Sequence, residues 1–162
     1  MCPRPWELDR LLASMKRLII GTVSGAACFV FIWGLAPSAL ADPGQYVRTQ
    51  SGQMRCLVMV NDQGHGGGPA VACEHGPGFP QAPVGQYGSH FDLAVIHASG
   101  AFSWDDGNIG GGGAPQNDLV LTYGQTYDVQ GWTILPSSDG TRFTNDATGH
   151  GMFVSVENVS SF

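Results

Sequence analysis

Positive charge is the scarcest feature of this 162-residue chain. Its single lysine is Lys16, and beyond residue 41 the basic residues are Arg48, Arg55 and Arg142. Eleven acids accompany these three arginines, so the region from residue 42 onward has a net charge of −8 with neutral histidines. Nucleic acids and anionic membrane surfaces both attract clusters of Lys and Arg. The sequence therefore predicts an acidic domain that binds neither nucleic acid nor, after cleavage of a signal peptide, a membrane.

The chain has one long apolar run, Leu18 to Ala36, and it has the layout of a secretory signal. Lys16 and Arg17 precede the run, and Pro37-Ser38-Ala39-Leu40-Ala41 ends in the A-x-A pattern of a cleavage site. We expect a signal peptide over residues 1–41, cleaved between Ala41 and Asp42, and a secreted or cell-envelope protein.

Three alternatives concern this N-terminal segment. The apolar run is longer than the usual 7–15 residues, so a retained membrane anchor is one alternative. Acylation of Cys28 as a lipoprotein is another, although Gly25-Ala26-Ala27 lacks the large aliphatic residue of such sites. Residues 1–14 contain acids in a region that is normally basic, which makes Met15 an alternative translation start.

Cysteine is also scarce after residue 41, where only Cys56 and Cys73 occur. An even pair in an exported domain indicates a disulfide. Closing a loop of about 17 residues contributes roughly 3 kcal/mol through chain entropy. A reactive or metal-binding pair is the alternative, but C-x-x-C spacing is missing.

Helical periodicity is absent, because no segment after residue 41 keeps a 3.6-residue apolar period over ten residues. Short runs of β-branched and aromatic residues alternate instead with glycine-rich and proline-rich turns. We predict one all-β domain over 42–162, a small sandwich or barrel of about eight short strands. The expected strands are 45–50, 54–60, 69–75, 90–98, 101–105, 118–123, 126–135 (with a bulge at Gly131), 141–145 and 152–159.

Alternation along these strands also predicts the hydrophobic core. Residues two apart share one face of a strand, so Phe91 and Leu93 lie together. The predicted core is Trp132, Phe143, Phe91, Leu93 and Leu121.

Motifs for phosphate binding, nucleophilic catalysis and metal binding are missing. There is no Gly-x-Ser-x-Gly elbow. The glycine clusters Gly64–Gly68 and Gly107–Gly113 lack the Lys-Ser/Thr ending of a phosphate-binding loop. His90 and His97 are an odd number of residues apart, so on one strand they face opposite ways and cannot share a zinc ion. We expect no metal and no cofactor.

The remaining candidates for catalysis are His150, Asp146 and Asp105. His150 lies between two glycines that allow positive φ, so a tight turn with a hydrogen-bonded imidazole is the simpler interpretation. The alternative places His150 at the rim of a ligand site beside Asp146. Asp105 precedes Asp106, a pair typical of a solvated turn.

The sequence does not specify the molecular activity. We expect a non-catalytic binding or interaction module for an extracellular ligand or an envelope protein. Its recognition loops would be Gly64–Gly68, Phe79–Pro83 and Gly107–Gly113, since loops carry most recognition surfaces. The alternative is a small secreted hydrolase that uses His150 with a nearby carboxylate.

Three features resemble a family of exported actinobacterial, mycobacterial-type proteins of uncharacterised function. They are the Cys56 and Cys73 pair, the segment Phe79-Pro-Gln-Ala-Pro83, and the closing Thr148-Gly-His-Gly-Met-Phe-Val-Ser155. The resemblance spans nearly all of 45–162 and implies one exported domain, but it gives no residue a catalytic role. It also implies a second cysteine pair in relatives, near Trp132 or Ile134 and Phe143. The large apolar residues of this chain would replace that pair by packing.

Overall fold

The structure is a computed structural model that describes residues 44–110 and 117–162. All of them belong to one compact unit, Leu40–Phe162. The predicted signal peptide and its cleavage site between Ala41 and Asp42 lie outside the described residues. No helix in the described part of the chain is long and apolar enough to cross a membrane.

The fold is all-β, as predicted, and the described residues form 11 strands in two sheets. The first sheet has the strand order β5-β4-β3-β2-β1-β6. Its strands are β1 Gly44–Thr49, β2 Arg55–Met59, β3 Ala70–Glu74, β4 Leu93–His97, β5 Phe102–Asp105 and β6 Leu119–Leu121. Neighbouring strands are antiparallel except for β1 and β6, which pair in parallel.

The second sheet has the order β11-β10-β9-β8-β7, an antiparallel meander that follows the sequence. Its strands are β7 Tyr127–Val129, β8 Trp132–Ser137, β9 Gly140–Asn145, β10 Gly151–Val154 and β11 Val159–Ser161. Each sheet is thus built from a continuous half of the domain.

The main core lies between the inward faces of the two sheets. Alternation along each strand directs small β-branched residues inward from the first sheet and large residues inward from the second. The cluster includes Val47, Val58, Val71 and Ile96 from the first sheet, and Trp132, Ile134, Phe143 and Met152 from the second.

The predicted disulfide is present in this core. Cys56 of β2 and Cys73 of β3 are direct partners in the strand register, and their Cα atoms are 4.0 Å apart. Both side chains point inward and are almost completely buried. The bond therefore joins two neighbouring central strands of the first sheet.

The predicted strand over 126–135 is wrong, because the chain reverses within it. Val129 of β7 pairs with Trp132 of β8, which leaves Gln130 and Gly131 as a two-residue turn. Their φ angles are 53° and 80°, as the type I′ hairpin turn requires. A bulge and a tight turn both place glycine between apolar residues, so the sequence pattern did not separate them. The predicted 152–159 strand likewise divides into β10 and β11.

Three of the five predicted core residues, Trp132, Phe143 and Leu121, are buried in the main core. Phe91 packs against the same cluster but is only half-buried. Leu93 is buried on the opposite face of the first sheet, in a second cluster. The prediction that Phe91 and Leu93 share a face is wrong, because Phe91 precedes β4 and does not continue its alternation. Since β4 is covered on both faces, alternation also does not predict which face meets the other sheet.

Candidate functional site

The loop between β2 and β3 contains the first glycine cluster and folds around Asp62. Residues Gln63–His65 form one turn of 3-10 helix, and the Asp62 carboxylate accepts a hydrogen bond from the Gly64 N–H at 3.1 Å. Gly66, Gly67 and Gly68 have φ angles of 94°, 86° and 88°. Only glycine adopts such a series at low cost, so the cluster serves the backbone path of the loop.

This loop brings His65 between two carboxylates. Its Nδ1 lies 2.7 Å from Oδ2 of Asp62, and its Nε2 lies 2.7 Å from Oδ2 of Asp105 at the end of β5. The hydrogen bond to Asp105, followed by that to Asp62, raises the pKa of His65. The hydrogen bond from His65, with a second from the Asp106 N–H, lowers the pKa of Asp105. The imidazolium form, with both N–H groups donating, is therefore favoured.

A histidine in this state is unsuited to general-base catalysis. A base needs a free ring nitrogen within reach of the proton that it removes, and both nitrogens of His65 are occupied. No described serine, threonine or cysteine side chain forms a hydrogen bond with His65. Among the described residues, no group of three His, Cys, Asp or Glu side chains could hold a metal ion. The arrangement instead ties the β2–β3 loop to β5.

The other two catalytic candidates, His150 and Asp146, form no hydrogen bond with this cluster or with each other among the described residues. The Nδ1 atom of exposed His150 is 3.3 Å from the carbonyl oxygen of Phe162. Asp146 accepts a hydrogen bond of 2.6 Å from the Thr133 hydroxyl. Within the described residues, His150 has no hydrogen bond to a carboxylate, and Asp105 pairs with His65 instead.

The Thr148–Gly151 segment has a clear packing role. The Thr148 hydroxyl donates to the Ala98 carbonyl at 2.6 Å, in the turn between β4 and β5. The His150 ring lies so close to Gly100 in that turn that a Cβ atom there would be 3.0 Å from the ring. The segment therefore joins the β9–β10 turn of the second sheet to the first sheet.

The three expected recognition loops differ in their surroundings. Phe79 and Ala82 of the Phe79–Pro83 loop are buried, and the Phe79 ring lies 5.3 Å from that of Trp104, so this loop contributes to packing. The second glycine cluster is described as far as Gly110. There the Tyr46 hydroxyl donates to the Ile109 carbonyl at 3.0 Å.

Arg55 and Asp118 form a two-point ion pair beside the second glycine cluster. The guanidinium donates through Nε and Nη2 to the two carboxylate oxygens, at 2.7 and 2.9 Å. This hydrogen bonding raises the pKa of Arg55. The pair holds the segment that enters β6 against β2.

A cleft of about 360 Å³ opens at one end of the domain. This volume is within the range of about 300–1,000 Å³ that ligand sites occupy. Four chain segments form its walls: the β1–β2 turn, the β6–β7 connection, the β8–β9 turn and the β10–β11 turn. The lining residues are Thr49, Ser51, Gln53, Met54, Tyr123, Ser137, Ser138, Asp139, Gly140, Thr141, Val154, Ser155, Val156 and Glu157.

No pattern in the sequence predicted this cleft. Its residues come from four distant segments, and stretches such as Ser137-Ser138-Asp139-Gly140 are typical of any β-turn. The His65 cluster had a weak local signal, since Asp62 and His65 are three residues apart in a glycine-rich loop. Asp105 joins them only through the pairing of β4 with β5.

Comparison with known proteins adds no relative. No family model matches the chain, and neither a curated protein nor a solved structure is significantly similar to it. The resemblance to exported actinobacterial proteins therefore stays a prediction.

Proposed function

We propose that this protein is an exported, non-catalytic binding module and that the cleft at the end of the two sheets is its ligand site. The cleft carries this proposal, because it combines the volume of a ligand site with polar side chains that have no other partner. Among the described residues, the side chains of Gln53, Tyr123 and Glu157 form no hydrogen bond within the protein.

The alternative, a small hydrolase that uses His150 with a carboxylate, has less support. Hydrolysis by a histidine needs an oriented imidazole with a free nitrogen beside a nucleophile or water. His150 lacks a carboxylate partner among the described residues, and His65 lacks a free nitrogen. Neither histidine lines the cleft.

Export rests on the sequence features of residues 1–41. The mass of the protein recovered from culture medium tests it, with and without reduction and alkylation. We expect a chain that begins at Asp42, lighter by two hydrogens than the dithiol form and alkylated only after reduction. A retained N-terminus would favour the membrane anchor instead.

Binding at the cleft is testable by amide chemical shifts. The full chain is expressed, its oxidised product is purified, and a panel of neutral, cationic and anionic small molecules is added. We expect at least one class to shift amides of Ser138, Thr141 and Ser155, while those around His65 stay unchanged. Turnover of an ester, peptide or glycoside substrate that His150→Ala abolishes would overturn the proposal, as would the absence of any binding.

A further inference from the structure

We propose that the cleft binds a neutral, polyhydroxylated ligand, that is, a saccharide. The inference rests on the proposed binding function and adds the chemical class of the ligand. Six of the lining residues carry an aliphatic hydroxyl, and Tyr123 carries a phenol. The aliphatic hydroxyls belong to Thr49, Ser51, Ser137, Ser138, Thr141 and Ser155.

Several of these hydroxyls shape the turns that surround the cleft. Ser137 donates to the Gly140 carbonyl at 2.8 Å, and Ser155 accepts from the Asn158 N–H at 3.0 Å. Ser138 donates to one oxygen of Asp139 at 3.1 Å. These bonds fix the walls in advance, so ligand binding would not have to order them.

Other polar groups of the cleft remain uncommitted. Oγ1 of Thr141 is buried and has no hydrogen-bond partner among the described residues. Thr141 is only 1% exposed, which makes an unpaired hydroxyl there costly in the empty protein. The side chains of Gln53, Tyr123 and Glu157 are also free of hydrogen bonds to described residues. The Thr141 hydroxyl is too enclosed to meet a ligand. The other three side chains are exposed or half-buried, so a ligand that pairs with them replaces hydrogen bonds to solvent.

The mixture of donors and acceptors selects the ligand class. Tyr123 and the Gln53 amide can donate, whereas Asp139, Glu157 and the Gln53 carbonyl can accept. A metal ion or an ammonium group would satisfy only the acceptors. An anion would meet two carboxylates, and no Lys, Arg or His lines the cleft. Sugar hydroxyls donate and accept at once, so a saccharide satisfies both sets.

The apolar part of the lining agrees with this class. Met54 and Val154 are buried, and Val156 is half-buried. They give the cleft a small apolar surface among its polar groups, which is the usual composition of a ligand site. The C–H faces of a sugar ring can pack against such a surface while its hydroxyls reach the rim.

Calorimetric titration with cellobiose, maltose and N,N′-diacetylchitobiose tests the proposal. We expect at least one disaccharide to bind the oxidised protein. Tyr123→Phe should weaken its binding about 2–10-fold, which corresponds to the loss of one neutral hydrogen bond. Glu157→Gln should weaken it about tenfold or more, since hydrogen bonds to a carboxylate are stronger. Tyr87→Phe, which alters an exposed phenol outside the cleft, should leave binding unchanged.

Further titrations with spermidine, calcium chloride and inorganic phosphate distinguish the possible failures. If one of these compounds shifts the amide resonances of the cleft and no disaccharide does, the saccharide assignment is wrong. The proposed binding function would still stand. If none of the six compounds binds in the calorimeter or shifts the amides of Ser138 and Ser155, the saccharide assignment is wrong. If the wider panel of small molecules shows no binding either, the proposed binding function is wrong as well.

Discussion

The central strands of the two sheets are joined in different ways. In the first sheet, the disulfide Cys56–Cys73 links residues that face each other across β2 and β3. In the second sheet, the corresponding contact is between Ile134 and Phe143, which face each other across β8 and β9 and are fully buried. One sheet has a covalent link between its strands and the other has a packed apolar pair.

The disulfide and the apolar pair contribute similar free energies to the stability of their sheets. A disulfide that closes a loop of 17 residues contributes about 3 kcal/mol. Burial of a side chain such as Ile134 or Phe143 contributes about 1.5–3 kcal/mol each. The apolar pair can therefore stabilise the second sheet as well as a disulfide would, and it does so in any redox environment.

The first prediction removes the largest side chain of the second sheet. Trp132→Ala should lower the free energy of unfolding by about 3–5 kcal/mol, because Trp132 is fully buried in the main core. Urea unfolding followed by circular dichroism measures it. Trp132→Phe is the matched control and should cost less, since the buried indole N–H has no partner among the described residues. Near-normal stability of the alanine variant would contradict the packing of the second sheet.

The second prediction breaks the covalent link of the first sheet. Cys56→Ala with Cys73→Ala should lower the free energy of unfolding by roughly 3 kcal/mol relative to the oxidised protein. The same double variant should match the unaltered protein when both are measured with reductant. A loss that persists under reducing conditions would show that core packing of the sulfurs, rather than the bond, stabilises the sheet.

The differences between the two sheets also show how much of the fold could be predicted from the sequence. The two cysteines were identifiable because they form an even pair behind a predicted signal peptide, which leaves few alternatives. The all-β class followed from short runs between turn residues, and the large residues Trp132 and Phe143 were identifiable from alternation. Leu93 is buried as predicted, but it does not share a face with Phe91, since it packs with loop residue Ile109 in the second cluster.

The candidate sites depended on contacts between distant segments. His65 and Asp105 are 40 residues apart and meet only because the β2–β3 loop extends to β5. The cleft gathers turn residues whose local sequences predict turns and nothing more. His150 was the most conspicuous histidine, yet Gly149 beside it has a positive φ of 76° and Gly151 allows the close approach of the Phe143 carbonyl.

The third prediction concerns the hairpin turn between β7 and β8 of the second sheet. Gln130 is the one non-glycine residue in the described part of the chain with positive φ, at 53°. Asparagine tolerates this conformation better and is favoured before glycine in type I′ turns. Gln130→Asn should raise the free energy of unfolding by about 0.5–1 kcal/mol. Gln125→Asn, at a position without positive φ, should have no such effect.

The fourth prediction concerns the ionic contact that only the first sheet has, Asp62–His65–Asp105. Folding raises the pKa of His65 above its ordinary 6.5, so its stabilisation is complete below that pH and disappears as pH rises through the folded pKa. Folding lowers the pKa of Asp105, so its stabilisation is present above its ordinary 3.8 and disappears as pH falls through the lower folded pKa. The contact should stabilise most between these two ordinary values.

The test compares His65→Ala with the unaltered protein by urea unfolding at about pH 5 and about pH 9. The loss should be up to about 1 kcal/mol near pH 5, because the side chains of His65 and Asp105 are 40% and 42% exposed and solvent screens their pair. Near pH 9 the difference should shrink, since loss of the proton from His65 leaves one N–H donor for two carboxylates. His150→Ala has no carboxylate partner to lose, so its effect should not vary with pH in this way. An equal loss at both pH values for His65→Ala would mean that the ring acts by packing and that its charge adds nothing to the stability of the first sheet.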